Sequence, residues 1–258
     1  MWPSWPTLRR RSSPELNRVT SRLISLCVDA NDPLGLARFW AVALGWEIAD
    51  ESDEEVRLLP TDGTGFKLLF LPVPEAKSEK NRIHLDLTTR SLEDQAETVA
   101  TLIDLGGRHI DVGQTVDDAH VVLADPEGNE LCIIEPTNNF LATCDRLGSI
   151  TCDGSPQAGY FWSDALGWPL VWDQDEETAI RSPEGTGPFI TWGPPVVPKR
   201  VKNRLHLDIA PPLGVDQQAE VQRLTSLGAR AIDIGQGDVS WVVMADPDGN
   251  EFCVLTPR

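Results

Sequence analysis

The chain repeats itself, and a repeat constrains architecture more than any single residue can, because both copies must adopt one plan. Phe39-Trp40-x-x-Ala43-Leu44-Gly45-Trp46 recurs as Phe161-Trp162-x-x-Ala165-Leu166-Gly167-Trp168. Asn81-Arg82-Ile83-His84-Leu85-Asp86 recurs as Asn203-Arg204-Leu205-His206-Leu207-Asp208, and the block from Leu105 to Gln114 recurs from Leu227 to Gln236. These three blocks lie 122 residues apart, and a fourth, Asp125-Pro126-Glu127-Gly128-Asn129-Glu130-x-Cys132, returns at Asp246 after 121. The chain is therefore two copies of one α/β unit of about 115 residues, joined between Thr137 and Arg146.

Each copy divides again. Residues 23–29 alternate as a strand does, and Leu36, Phe39, Trp40, Ala43 and Leu44 then mark one face of a helix from Pro33, stopped by Gly45. Strand-like runs follow at 46–50, 55–60 and 65–71. The second half repeats this order: a strand at 82–88, a helix from Leu92 to Leu105 with Ser91 as N-cap and Asp94 three residues on, then strands at 108–112, 119–124 and 130–135. Asp125 to Asn129 reads as a hairpin turn, with Pro fixing φ and with Gly and Asn supplying positive φ. The plan is βαβββ, four times per chain. Alternate residues share a strand face. Ser25, Cys27 and Asp29 thus oppose Ile24, Leu26 and Val28, while His84, Asp86 and Thr88 oppose Ile83, Leu85 and Leu87.

Forty acidic residues against 22 Lys and Arg give a net charge of −18. Such a chain repels phosphate backbones and anionic lipid, so neither nucleic acid nor a membrane is expected as partner. Five cysteines, odd in number and without CxxC spacing, read as reduced thiols in a cytoplasmic protein. Residues 1–21 read as a disordered tail, and Val19 as a candidate start.

Together the Phe-Trp…Leu-Gly-Trp helix end, the His-Leu-Asp strand and the Asp-Pro-x-Gly-Asn-Glu turn resemble the glyoxalase/bleomycin-resistance/extradiol-dioxygenase (vicinal oxygen chelate) superfamily. The resemblance implies an α+β fold of two tandem glyoxalase-like domains, residues 22–137 and 146–258. Each would hold paired βαβββ modules forming curved mixed sheets, with helices on the convex face and ligand in the concave cup. It also implies a divalent metal held by His, His and Glu. Carried over by position, those ligands fall on Leu23 and Leu147, on His84 and His206, and on Cys132 and Cys253; only the histidines could ligate as the family's do. No metal or other cofactor is therefore expected, although Glu130 and Glu251 share face parity with the cysteines, Asp86 and Asp208 share it with the histidines, and a divalent ion stays open.

Three readings of function remain. One is a metal-independent protein that binds a small organic molecule, as monomer or homodimer. Another is a glyoxalase-type lyase, isomerase or dioxygenase. A third is a structural or regulatory module without a ligand, against which the polar cup counts. His84 and His206 are the candidate catalytic groups, each oriented by its Asp or else only satisfying a polar floor. Asp29, Asp86, Cys132, Asp153, Asp208, Trp241 and Cys253 are the candidate ligand-binding residues. The cysteines otherwise read as small buried hydrophobes, and Trp40, Trp46, Trp162 and Trp168 as core. Trp172 and Trp192, present in copy two alone, point to an aromatic wall in its cup.

Overall fold

A computed structural model describes residues 20–115 and 118–258. The expected tail and the start at Val19 lie outside these residues, except for Thr20 and Ser21. Ser21 is buried, and its hydroxyl donates to Glu220 at 2.6 Å.

All four modules form. The first contains β1 (Arg22–Ala30), α1 (Pro33–Leu44), β2 (Glu47–Glu51), β3 (Val56–Leu59) and β4 (Lys67–Pro72). The second contains β5 (Ile83–Leu87), α2 (Leu92–Asp104), β6 (Arg108–His109), β7 (Val121–Ala124) and β8 (Glu130–Ile133). Copy two supplies β9 (Leu147–Asp153), α3 (Pro156–Leu166), β10 (Leu170–Gln174), β11 (Glu177–Arg181) and β12 (Phe189–Gly193). Its second half is β13 (Leu205–Ala210), α4 (Gln217–Ser226), β14 (Arg230–Ala231), β15 (Val242–Ala245) and β16 (Glu251–Val254).

Local chemistry sets the helix ends. Asp32 caps α1 by accepting from Gly35 N at 3.0 Å, Pro33 opens it, and Gly45 at φ 71° closes it in the left-handed conformation. Ser91 caps α2 by accepting from Asp94 N, whose own carboxylate takes the Arg90 amide, a reciprocal arrangement. The strand expected at 108–112 is only two residues long, because the chain turns away at Gly113.

The strands form two eight-stranded mixed sheets, and the hydrogen bonding crosses between copies. Sheet one runs β2-β3-β4-β1-β13-β16-β15-β14, joining the first module of copy one to the second of copy two. Sheet two runs β6-β7-β8-β5-β9-β12-β11-β10, joining the inner two modules. The seams are antiparallel pairs of first strands: Cys27 faces His206 in one, and Thr151 faces His84 in the other. One apolar core joins the helix-bearing faces of both sheets, with Leu26, Phe39, Leu85, Ile150, Phe161 and Leu207 among its buried members.

Within a copy, the halves are tied by the turn before the last strand. Asp125 is fully buried, and its carboxylate accepts from the Asn129 and Glu127 amides, from Asn129 Nδ2 and from the Trp40 indole at 3.1 Å. Asp246 repeats this with Trp162 at 3.2 Å. Burial nonetheless pushes both carboxyls above the ordinary carboxylate range. Asn129 does not take the positive φ expected of it; Gly128 alone does, at 92°, and the Asn129 side chain is spent on Asp125 and Asn81. The next turn residue caps a helix of the other half: Glu127 accepts the Asn31 and Asp32 amides before α1, and Asp248 the Ser155 amide before α3. Arg204 reaches back across copies to Glu127 at 2.6 Å, and Arg82 to the Asp248 carbonyl. Trp40→Phe keeps the ring and removes one donor to a buried carboxylate. Urea unfolding is expected to show a loss of about 1.5–3 kcal/mol, and Trp162→Phe a similar loss.

Candidate functional site

Because sheets cross copies, each cup draws its floor from both. In cup one, on sheet one, Cys27 and Ser25 of β1 meet His206 and Asp208 of β13. Asp208 Oδ2 accepts from Ser25 Oγ and Cys27 Sγ, both at 3.0 Å, and Oδ1 lies 3.6 Å from His206 Nε2. Cys253 of β16 is opposite Asp208 and also bonds to it. Burial, and then the Asp208 charge, push the Cys27 and Cys253 thiols well up, so both are protonated at neutral pH. His206 Nδ1 is buried without a hydrogen-bond partner. Above this floor opens a cavity of about 1350 Å³ whose lining includes Ile24, Asp29, Leu69, Trp241, Val243 and Leu255. Asp29 is ion-paired with Lys202, and Trp241 is 39% exposed at the rim.

Positional carry-over onto Leu23 and Leu147 does not survive. The ladder slips between Leu23 and Ser25, and again opposite Gly148, so both leucines turn into the core at 5% and 0% exposure. A bulge inserts one residue and reverses facing beyond it. Ile24 consequently lines cup one, and Gly148 takes its place in cup two. Nor do Glu130 and Glu251 join the histidines: each is ion-paired to a lysine, Lys77 or Lys199, and accepts the Asn81 or Asn203 amide.

Cup two gathers His84, Asp86 and Cys132 with Thr151 in the place of Cys27. His84 Nε2 lies 3.3 Å from Asp86 Oδ1, while Asp86 Oδ2 accepts from Ser149 at 2.5 Å and Thr151 at 2.6 Å. This cup is filled from within. The connection between copies lies across it: Leu141 packs with Val122, Cys132, Ile134, Ala179 and Phe189, and Phe140 stacks on Phe189 at 4.6 Å. A Cβ on Gly148 would come within 3.0 Å of Leu141 Cδ1, so glycine makes room for the plug. Arg181 holds the segment through Thr143 and sits 4.7 Å over the Phe189 ring. Trp172 does face this cup, edge-on to Phe140, whereas Trp192 is buried under the helices with the core. The expected aromatic wall thus holds the chain itself, and only Trp172 belongs to it. Asp153 pairs with Lys80 and lines the open cavity described for cup one, near enough to His84 for its charge to favour the imidazolium.

Sequence reading missed Cys27 and Ser25 as companions of His206, since they belong to the other copy. It also missed Arg57 and Lys67, which line cup one. The Lys67-for-Phe189 difference between copies was a readable signal, but it acquires meaning only once the two strands are superposed in register.

Three donors in each cup, Cys27, His206 and Asp208 or His84, Asp86 and Cys132, lie within 4.8 Å of one another. A thiol, an imidazole and a carboxylate suit a zinc-type ion better than a hard, all-oxygen one. With its second thiol nearby and an unpartnered imidazole nitrogen, cup one fits such an ion.

Two predictions follow from cup two. Burial disfavours the His84 cation, but the Asp86 hydrogen bond and charge outweigh it and raise its pKa; the same contacts, with Ser149 and Thr151, lower that of Asp86. The raised imidazole contributes stability below about 6.5 that is lost as pH rises through its folded value, and the depressed carboxyl contributes above about 3.9 and is lost as pH falls. Asp86→Asn is expected to lower the His84 pKa in an NMR titration; an unchanged value would mean that Asp86 does not govern it. Leu141→Ala is expected to cost about 2–5 kcal/mol in denaturant unfolding.

A family model described as the glyoxalase-like domain matches the chain twice, over residues 25–134 and 148–255. No curated protein matches it. Glyoxalase I from Zea mays is similar in structure over 92% of this chain and 92% of its own, at 15% identity and a TM-score of 0.62. A proposed dioxygenase from Bacillus subtilis subsp. subtilis str. 168 is similar over 92% of this chain and 85% of its own, at 14% identity and a TM-score of 0.61. At these identities the likeness is one of fold. The two family matches span nearly all of the described residues, and the chain belongs to the glyoxalase-like domain family, in two tandem copies.

Proposed function

We propose that this protein binds a small organic molecule in cup one, without needing a metal to do so. The supporting observation is the cavity of about 1350 Å³ over His206, Asp208, Cys27 and Cys253, set against a second cup already occupied by Phe140 and Leu141. A concave, partly apolar site with a few convergent polar groups is the usual form of a small-molecule site. Asp208 is satisfied by Ser25, Cys27 and Cys253, so the floor is stable as a hydrogen-bonded network. In this reading His206 and Trp241 contact the ligand, and His84, Asp86 and Cys132 hold the closed cup together. Acidic surface charge argues against nucleic acid or anionic membranes as partners, and among the described residues no helix is long and apolar enough to cross a membrane. A cytoplasmic monomer or homodimer is the simplest setting. Screening ligands by tryptophan fluorescence tests the reading: binders should alter the signal of the wild type and much less that of Trp241→Phe. Binding that is indifferent to Trp241 and to His206→Ala would place the ligand elsewhere and overturn it.

A second reading, a metal-dependent lyase, isomerase or dioxygenase, draws on the unpartnered His206 Nδ1 and the thiol pair. An ion there would be held by His206, Asp208, Cys27 and Cys253, and when bound it would act as a Lewis acid on a ligand carbonyl. Cobalt(II) titration discriminates: a thiolate-to-cobalt absorption band lost in Cys27→Ser and Cys253→Ser favours the metalloenzyme, and its absence favours metal-free binding.

A further inference from the structure

We infer that the occupant of cup one is an organic anion, with its charged group seated at Lys67 and Arg57 and an apolar body against Ile24 and Trp241. The inference rests on the reading that cup one is a binding site. It comes from comparing the two cups position by position.

Cup two already shows which positions touch an occupant, because its occupant is part of the chain. The linker rests on Gly148, Ala179 and Phe189. Strand register identifies their counterparts. Ser25 pairs with Lys67 as Ser149 pairs with Phe189, and Arg57 pairs with Leu69 as Ala179 pairs with Thr191. Gly148, Ala179 and Phe189 in the apolar-filled cup therefore correspond to Ile24, Arg57 and Lys67 in the open one, and all three line its cavity. Where one cup presents an aromatic ring to the phenyl ring of Phe140, the other presents an ammonium group.

Most of the cations around the cavity are already paired, and one exception is informative. The chain as a whole carries 40 acidic residues to 22 basic, yet ten basic side chains and six acidic ones line this cavity. Several of those cations are committed elsewhere: Lys77 to Glu130, Lys80 to Asp153, Lys199 to Glu251, Lys202 to Asp29, and Arg204 to Glu127. Arg57 is shared between Glu55 and Asp50. Lys67 is half-buried and, among the described residues, its ammonium group has neither a hydrogen bond nor an ion pair. An ammonium without a partner on the wall of a cup disfavours an apolar occupant and favours one that brings a carboxylate or sulfonate.

The test uses two probes with the same aromatic frame, 8-anilinonaphthalene-1-sulfonate and the uncharged N-phenyl-1-naphthylamine. Both are titrated into the full-length protein, and binding is assigned to cup one by Trp241→Phe. The sulfonate is expected to bind roughly ten- to a hundredfold more tightly than the neutral amine, the range of one charge-assisted contact. Lys67→Met should close that gap, and Lys67→Arg should keep it open. Equal affinity of the two probes in the wild type, or a gap that survives Lys67→Met, overturns the anion inference while leaving cup one a binding site. Failure of both probes to bind at Trp241 overturns the binding reading and this inference together.

Discussion

A βαβββ module leaves its first strand with one unpaired edge, and everything else in this molecule is arranged around closing that edge. In each module the first strand pairs in parallel with the last, as β1 does with β4, and its other side would stand open. Pairing two first strands antiparallel joins two modules into one curved eight-stranded sheet. The residues at that seam, Cys27 with His206 and Thr151 with His84, become the floor of a cup. The site is therefore a by-product of edge closure, which is why it contains side chains from both copies.

The two seams share a backbone plan and differ in what covers them. Over sheet two the connecting segment supplies Phe140 and Leu141, and Gly148, Ala179 and Phe189 are shaped to receive them. Over sheet one Ile24, Arg57 and Lys67 stand at those places around an open cavity. Duplication thus yielded one cup filled by the chain itself and one left open. The paired His and Asp persist in both, since each Asp also satisfies neighbouring hydroxyl or thiol donors. Those hydrogen bonds are needed whether or not a ligand comes.

Much of this was legible in residues. Helix caps at Ser91 and Gly45 and the Asp-Pro-x-Gly turns follow from local chemistry and fall where expected. His84 with Asp86, and His206 with Asp208, follow from strand alternation, while Cys132 and Cys253 were placed beside them by the positions that the family resemblance implies. Leu23 and Leu147 were misplaced because alternation assumes an unbroken ladder, and a one-residue bulge reverses the facing of everything before it. Trp192 was misplaced for a related reason: an aromatic residue in a strand reads the same on either face, and parity decides.

Sequence alone determined the duplication, the four βαβββ modules, the Asp-Pro-x-Gly-Asn-Glu turns, and the polar faces carrying His84 and His206. Each of these depends on neighbours within a few residues or on self-similarity, both of which are written along the chain. Tertiary structure decided which edges pair, so that Cys27 serves His206 rather than His84, and decided that the linker closes one cup and leaves the other open. Four similar first strands offer nearly equivalent hydrogen-bonding edges. The choice among them is made by the whole core and by cross-copy contacts such as Arg204 with Glu127, which no local pattern encodes.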